Sequence, residues 1–120
     1  MDTITVYVGK IVATDNFTQD DTREVQFVGE KLATYKRFID PGGTRGVAET
    51  LYRTEDGRLI VHVADWSQWV NEPNYYLLFE VTESDLQVGG RFEALGHEAG
   101  FGRPLTLDEA LSDLSELGDW

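Results

Sequence analysis

Alternation comes first along this chain. From Thr3 to Thr14, Ile4, Val6 and Val8 keep one parity while Thr5 and Tyr7 keep the other. A period of two is the signature of a strand with one buried face. The parity changes at Gly9, before Ile11 and Val12, so a β-bulge is expected there. "TDNFTQDDTRE" has no apolar period and reads as a polar loop. From Glu24 to Phe38, Val25, Phe27, Leu32, Tyr35 and Phe38 fit two extended segments around Gly29, or a strand followed by a short helix; extended structure is favoured.

"DPGGTRG", Asp40 to Gly46, is rich in glycine but lacks the Lys-Ser or Lys-Thr and the helix start of a phosphate loop. It is expected to join two strands. The following runs, "VAETLYRT" and "RLIVHVADW", flank Asp56-Gly57, a dipeptide suited to a two-residue type I′ hairpin. That turn sets Glu55 opposite Arg58 and Tyr52 opposite Val61. Tyr52, Leu59, Val61 and Val63 would then form the core face, and Leu51, Arg53, Ile60 and His62 the other.

Tyr75 to Val81 continues as a strand with Leu77, Phe79 and Val81 toward the core. Tyr76 and Leu78 then need cover, for which the C-terminal helix is the expected source. Thr82 and Asp85 have the spacing of a helix start. "RFEALGHEAG" reads as a short helix stopped by Gly100, with Phe92, Leu95 and Ala99 inward. "LTLDEALSDLSELG" reads as a C-terminal amphipathic helix. Thr106 and Glu109 form its capping box, Leu105 staples onto Ala110, Leu107, Ala110, Leu111, Leu114 and Leu117 make the stripe, and Gly118 is the stop. The expected fold is α+β: one domain over residues 1–120, an antiparallel sheet of about five strands with this helix packed on it.

Two segments, "FVGEKLA" (Phe27 to Ala33) and "ETLYRTEDGRLIVHVADWSQWVNE" (Glu49 to Glu72), resemble small uncharacterised proteins of high-GC bacteria and their mobile elements. There a GE-x-LA segment precedes an E-x-x-x-YRT hairpin and an S-x-W turn. The resemblance implies one β-rich domain and a mobile-element context. It carries no activity and no site residues.

Composition narrows the classes. A formal charge of −12 argues against direct contact with nucleic acid or an anionic membrane, and favours a protein partner with a basic surface. Cysteine is absent, so thiol chemistry is excluded. The N-terminal stretch, with an acid at position two and alternating β-branched residues, reads as mature structure and not as a signal peptide, and a cytoplasmic location is expected. His62 and His97 are the only histidines; "HEAGF" lacks the second histidine of a zinc helix, and no serine sits in a nucleophile elbow. No cofactor, metal or catalytic residue is assigned.

What remains is aromatic and acidic. "WSQWVNEPNYYLLFEV" holds five aromatics, four of them around a polar turn. One tryptophan is expected to cap the core, while Trp69, Tyr75 and Tyr76 are candidate anchors for a partner. After Arg103 no basic residue follows, and Asp113, Glu116 and Asp119 line one helix face, the last two near an end where acids are unfavourable. Those six residues are the expected binding set. The function expected is a small acidic, non-enzymatic protein-binding domain. Its concrete form is a phage or mobile-element counter-defence inhibitor that mimics DNA charge to engage a nucleic-acid-binding protein. The alternative is a sugar or small-molecule module built on Trp66, Trp69, Tyr75 and Tyr76.

Overall fold

In the computed structural model, which describes residues 1–101 with Leu107, Asp108 and Leu111, an antiparallel sheet dominates. Its strands are β1 (Asp2–Ala13), β2 (Thr18–Asp20), β3 (Arg23–Phe38), β4 (Arg45–Thr54), β5 (Leu59–Ser67) and β6 (Asn74–Val81). A 3-10 turn (Glu83–Leu86) and a short helix α1 (Glu93–Glu98) follow. The fold is therefore sheet-rich α+β.

The strand order is β2-β1-β3-β4-β5-β6, and β6 returns to pair with β1. β1, β3, β4, β5 and β6 thus form a closed ring, and closure removes edges that would otherwise pair with other chains. Closure is partial. β1 pairs with β3 through Asp2 to Val8, but with β6 only through Gly9 to Ile11. Between Asp2–Val8 and the far half of β6 there is a seam without a ladder. The expected β-bulge is not formed, since the pairing keeps one register from Val8↔Arg23 to Ile11↔Asp20; Gly9, at φ +132°, marks the change of partner instead. No side chain fits there, since a Cβ would lie 2.5 Å from the Asp21 carbonyl oxygen.

The polar stretch after β1 is not wholly loop. Thr14 and Phe17 close a tight turn, and Thr18 to Asp20 pair with Ile11 to Ala13. All three β2 residues are exposed, so no hydrophobic period announces the strand. β3 is extended throughout. It bulges between Lys31 and Ala33, which lets both Leu32 and Ala33 pack against the core.

The Asp56-Gly57 hairpin forms with a different loop. Thr54 and Arg58 close it through Thr54 N–H to the Arg58 carbonyl (2.9 Å), and Gly57 N–H returns to the Thr54 carbonyl (3.0 Å). The loop has three residues, with Gly57 left-handed at φ +87°. That is the type I turn with a glycine bulge, not the two-residue type I′ turn. One extra residue slips the register, so Tyr52 lies opposite Ile60 and Leu51 opposite Val61. The β4 residues exchange faces accordingly, so that Leu51 joins Leu59, Val61 and Val63 while Tyr52 joins Ile60 and His62.

Leu51, Leu59, Val61 and Val81 form the outer face, and Leu86, Phe92 and Leu95 close over it as the main core. Asp85 accepts a hydrogen bond from Thr82 N–H (2.9 Å), capping the 3-10 turn as its spacing predicted. Phe92, at the N-cap of α1, and Leu95 within it are buried, and Gly100 adopts φ +82°, as expected. Leu77 shares the outer face with Phe79 and Val81, but stays 44% exposed.

The inner face carries Val6, Phe27, Tyr52, Ile60, His62, Tyr76 and Leu78. Among the described residues, its cover is the returning β1. Of the expected C-terminal helix, the structure describes Leu107, Asp108 and Leu111, all helical, with Leu107 75% and Leu111 51% exposed. The rest of its stripe and both caps lie outside the described residues.

Candidate functional site

Two loops meet at the end of the sheet where β5 leads to β6. Asp40 builds the first. Its carboxylate accepts hydrogen bonds from the backbone N–H of Thr44 (2.9 Å) and Arg45 (3.0 Å), and from the Thr44 hydroxyl. Aspartate favours such local capture of backbone donors. The Thr44 hydroxyl bond, then the Arg45 backbone bond, hold the Asp40 carboxyl below its ordinary pKa.

Glu72 builds the second. Arg45 grips it in two parallel bonds, Nε to Oε1 (2.8 Å) and Nη2 to Oε2 (2.7 Å). The Ser67 hydroxyl adds a third (2.5 Å), and Trp69 N–H donates to that hydroxyl oxygen (3.1 Å). Arg45, followed by Ser67, holds the Glu72 carboxyl below its ordinary range. Gln68 N–H reaches the Thr44 carbonyl (2.8 Å), and Asn71 N–H reaches that of Ala13 (2.8 Å). The turn is therefore bonded to both neighbouring strand connections.

On this frame stands Trp69. Its indole N–H donates to Thr44 Oγ1 (2.9 Å), yet the residue is 54% exposed. A tryptophan whose polar atom is satisfied while its ring faces water presents apolar area at little further ordering cost. Trp66 behaves differently. It is half-buried, meets Phe38 edge to face at 6.0 Å, and lies over Gly46. A Cβ on Gly46 would be 2.5 Å from its Cζ2. The two tryptophans thus divide the roles weighed for them, Trp66 packing and Trp69 standing out. Phe38, Ile39 and Val70, on or beside the same two loops, are also exposed.

The expected set is not one patch. Tyr75, 41% exposed, lies on the outer face with Lys10 Nζ 5.9 Å from its ring centre. Tyr76 lies on the inner face, stacked on His62 at 6.1 Å. Adjacent strand residues point to opposite sides, so Trp66, Trp69, Tyr75 and Tyr76 do not line one pocket. Asp113, Glu116 and Asp119 lie outside the described residues. The residues that sequence reasoning missed are Asp40, Thr44, Arg45, Ser67 and Glu72. Asp40 before Pro-Gly-Gly-Thr carried a turn signal. The Arg45–Glu72 pair, 27 residues apart, carried none.

His62 Nε2 lies 2.8 Å from the Tyr7 carbonyl, across the seam. It is thus a structural bridge in the gap. Among the described residues no group of three or more His, Asp or Glu side chains could hold a metal, and no helix is long and apolar enough to cross a membrane. No protein family, curated protein or solved structure matches the chain.

Proposed function

We propose that this chain is a small acidic, non-enzymatic protein-binding domain whose partner carries a basic surface. The observation that carries the reading is Trp69, an exposed indole held in place by Thr44, Asp40, Ser67 and Glu72. Rigid exposed tryptophans are typical anchors of interfaces, and Phe38, Ile39 and Val70 supply an apolar surround. The −12 charge selects for a cationic partner and speeds encounter with it.

The concrete form is a cytoplasmic counter-defence inhibitor from a phage or mobile element. Its carboxylates stand in for DNA phosphates on a nucleic-acid-binding protein; the charge and the resemblance of Phe27–Ala33 and Glu49–Glu72 support this form. The reading includes the amphipathic C-terminal helix on the sheet, presenting Asp113, Glu116 and Asp119; the leucine spacing supports it. No cofactor and no catalytic group enters.

The test is capture from host lysate with the parent and Trp69→Ala, each at low and high salt, alongside melting curves. A partner held by the parent, released by salt and lost by Trp69→Ala at unchanged melting temperature is expected. A partner retained equally by both proteins would remove Trp69 from the interface.

A further inference from the structure

The seam opens into the inside of the ring. There Tyr52, His62 and Tyr76 wall a cleft of about 570 Å³, with Val6 and Ile11 beside them and Asp20 at its mouth. The mouths of small β-barrels are natural ligand sites because their inward side chains converge without filling the space. This cleft has three features that together select a ligand.

The rings of Tyr52, His62 and Tyr76 line it. The ring of Tyr76 is stacked on His62 with 17° between planes, and Tyr52 meets Phe27 edge to face. Aromatic faces carry negative quadrupoles that attract cations. A carboxylate stands with them. Asp20 Oδ1 accepts from Thr22 N–H (2.9 Å) and from the Thr22 hydroxyl (2.5 Å), and among the described residues Oδ2 has no hydrogen-bond partner. Finally, no lysine or arginine lines the cleft. An anion would face the Asp20 carboxylate with no lysine or arginine to answer its charge. A neutral sugar would leave the Asp20 charge unanswered.

We infer that this cleft binds an alkyl guanidinium or ammonium, the side chain of an arginine or lysine presented by the basic partner. The aliphatic stem would lie against Val6 and Ile11, the cation between the tyrosine rings, and a donor would reach Asp20 Oδ2. The Thr22 hydroxyl and backbone bonds lower the Asp20 pKa, which keeps the carboxyl ionised at neutral pH. The inference rests on the protein-binding reading for the source of the cation, and it adds a second contact on the inner face.

The test is a titration of the isotopically labelled whole chain followed by amide NMR. The probes are a blocked peptide with one arginine between alanines, agmatine as a free cation, and the same peptide with citrulline. The arginine peptide should shift the amides of Tyr52, His62 and Tyr76 saturably. Citrulline, neutral and nearly isosteric, should bind at least about fivefold more weakly. Tyr76→Phe should keep the affinity, whereas Tyr76→Leu and Asp20→Asn should each lower it severalfold. Tyr75→Leu, on the outer face, should change nothing. If Tyr76→Leu fails to fold, the Phe and Asn variants still decide.

Agmatine binding more tightly than the peptide would overturn the side-chain source. Citrulline binding equally well, or the absence of saturable shifts, would overturn the cation site itself. Trp69→Ala should leave the arginine peptide's affinity unchanged, so failure here is separable from failure of the partner test.

Discussion

The two faces of one sheet are built from alternate residues of the same strands, and they differ in kind. On the outer face, Leu51 and Val61 have no exposed surface and are sealed by Leu86, Phe92 and Leu95. On the inner face, Tyr52, His62 and Tyr76 are half-buried, wall an open cleft and lead along β5 toward Trp66 and the loop end. Aliphatic side chains closed under a lid supply stability without presenting chemistry. Aromatic and polar ones left partly open supply recognition at lower gain in stability. Among the described residues, the short helical segments seal the outer face, while the ring's interior and its loop end stay open.

The largest expected effect breaks the outer face. Leu51→Ala empties a fully buried site and should cost about 2–5 kcal/mol, measured by denaturant unfolding. A loss below about 1 kcal/mol would mean that this core is less closed than described. Next comes Gly46→Ala, which forces a Cβ into the Trp66 ring. A penalty of about 1–3 kcal/mol is expected, with a red shift of tryptophan emission as Trp66 is pushed outward. Unchanged emission would separate Trp66 from β4.

Gly57→Val should cost about 1–2 kcal/mol, from backbone conformation alone. No atom lies within 4 Å of the added Cβ, so a larger loss in a melting experiment would point away from the turn geometry.

The smallest effect is electrostatic and has opposite signs in the two regions. Asp40 and Glu72, at the loop end, have folded pKa values below their ordinary ones. Their stabilisation is present above the unfolded values of about 3.9 and 4.3, and is lost as pH falls through the folded ones. Glu49, on the outer face opposite Tyr35 and Val63, is pushed the other way by burial, against Arg37 and Arg91. Its raised pKa favours the fold in acid, and that advantage is lost as pH rises through the folded value. Glu49→Gln should therefore raise the melting temperature at neutral pH and leave it unchanged below about pH 4, where both states are protonated. A drop at neutral pH would show that Arg37 and Arg91 outweigh burial.

Local signals in the sequence were readable. Gly9 marked the place where β1 changes partner, Thr82 and Asp85 the capped turn, and Phe92, Leu95 and Gly100 the short helix with its stop. Each depends on residues within a turn or two of one another. The closure of β6 onto β1 depends on residues more than sixty positions apart, and no pattern announces it. β2 escaped because an exposed strand with backbone pairing alone has no hydrophobic period. The hairpin misled by one residue, since Asp-Gly serves both a two-residue and a three-residue loop. That slip set Tyr52 on the face opposite His62 and hid the cleft the two share. At the loop end, Trp69 was legible as an exposed aromatic in a turn. Its support was not, because Arg45 and Glu72 meet only in the folded chain.

The most direct test of the division between the faces is NMR mapping of the labelled protein against a captured partner. The indole N–H resonances of Trp66 and Trp69, with Trp120 as the remaining one, give discrete reporters. Shifts at Trp69, Trp66 and the amides of Thr44 and Tyr76, with Leu86 to Leu95 unmoved, are expected. Shifts confined to Leu86–Leu95, with both indoles still, would place the interface on the outer face and contradict the account.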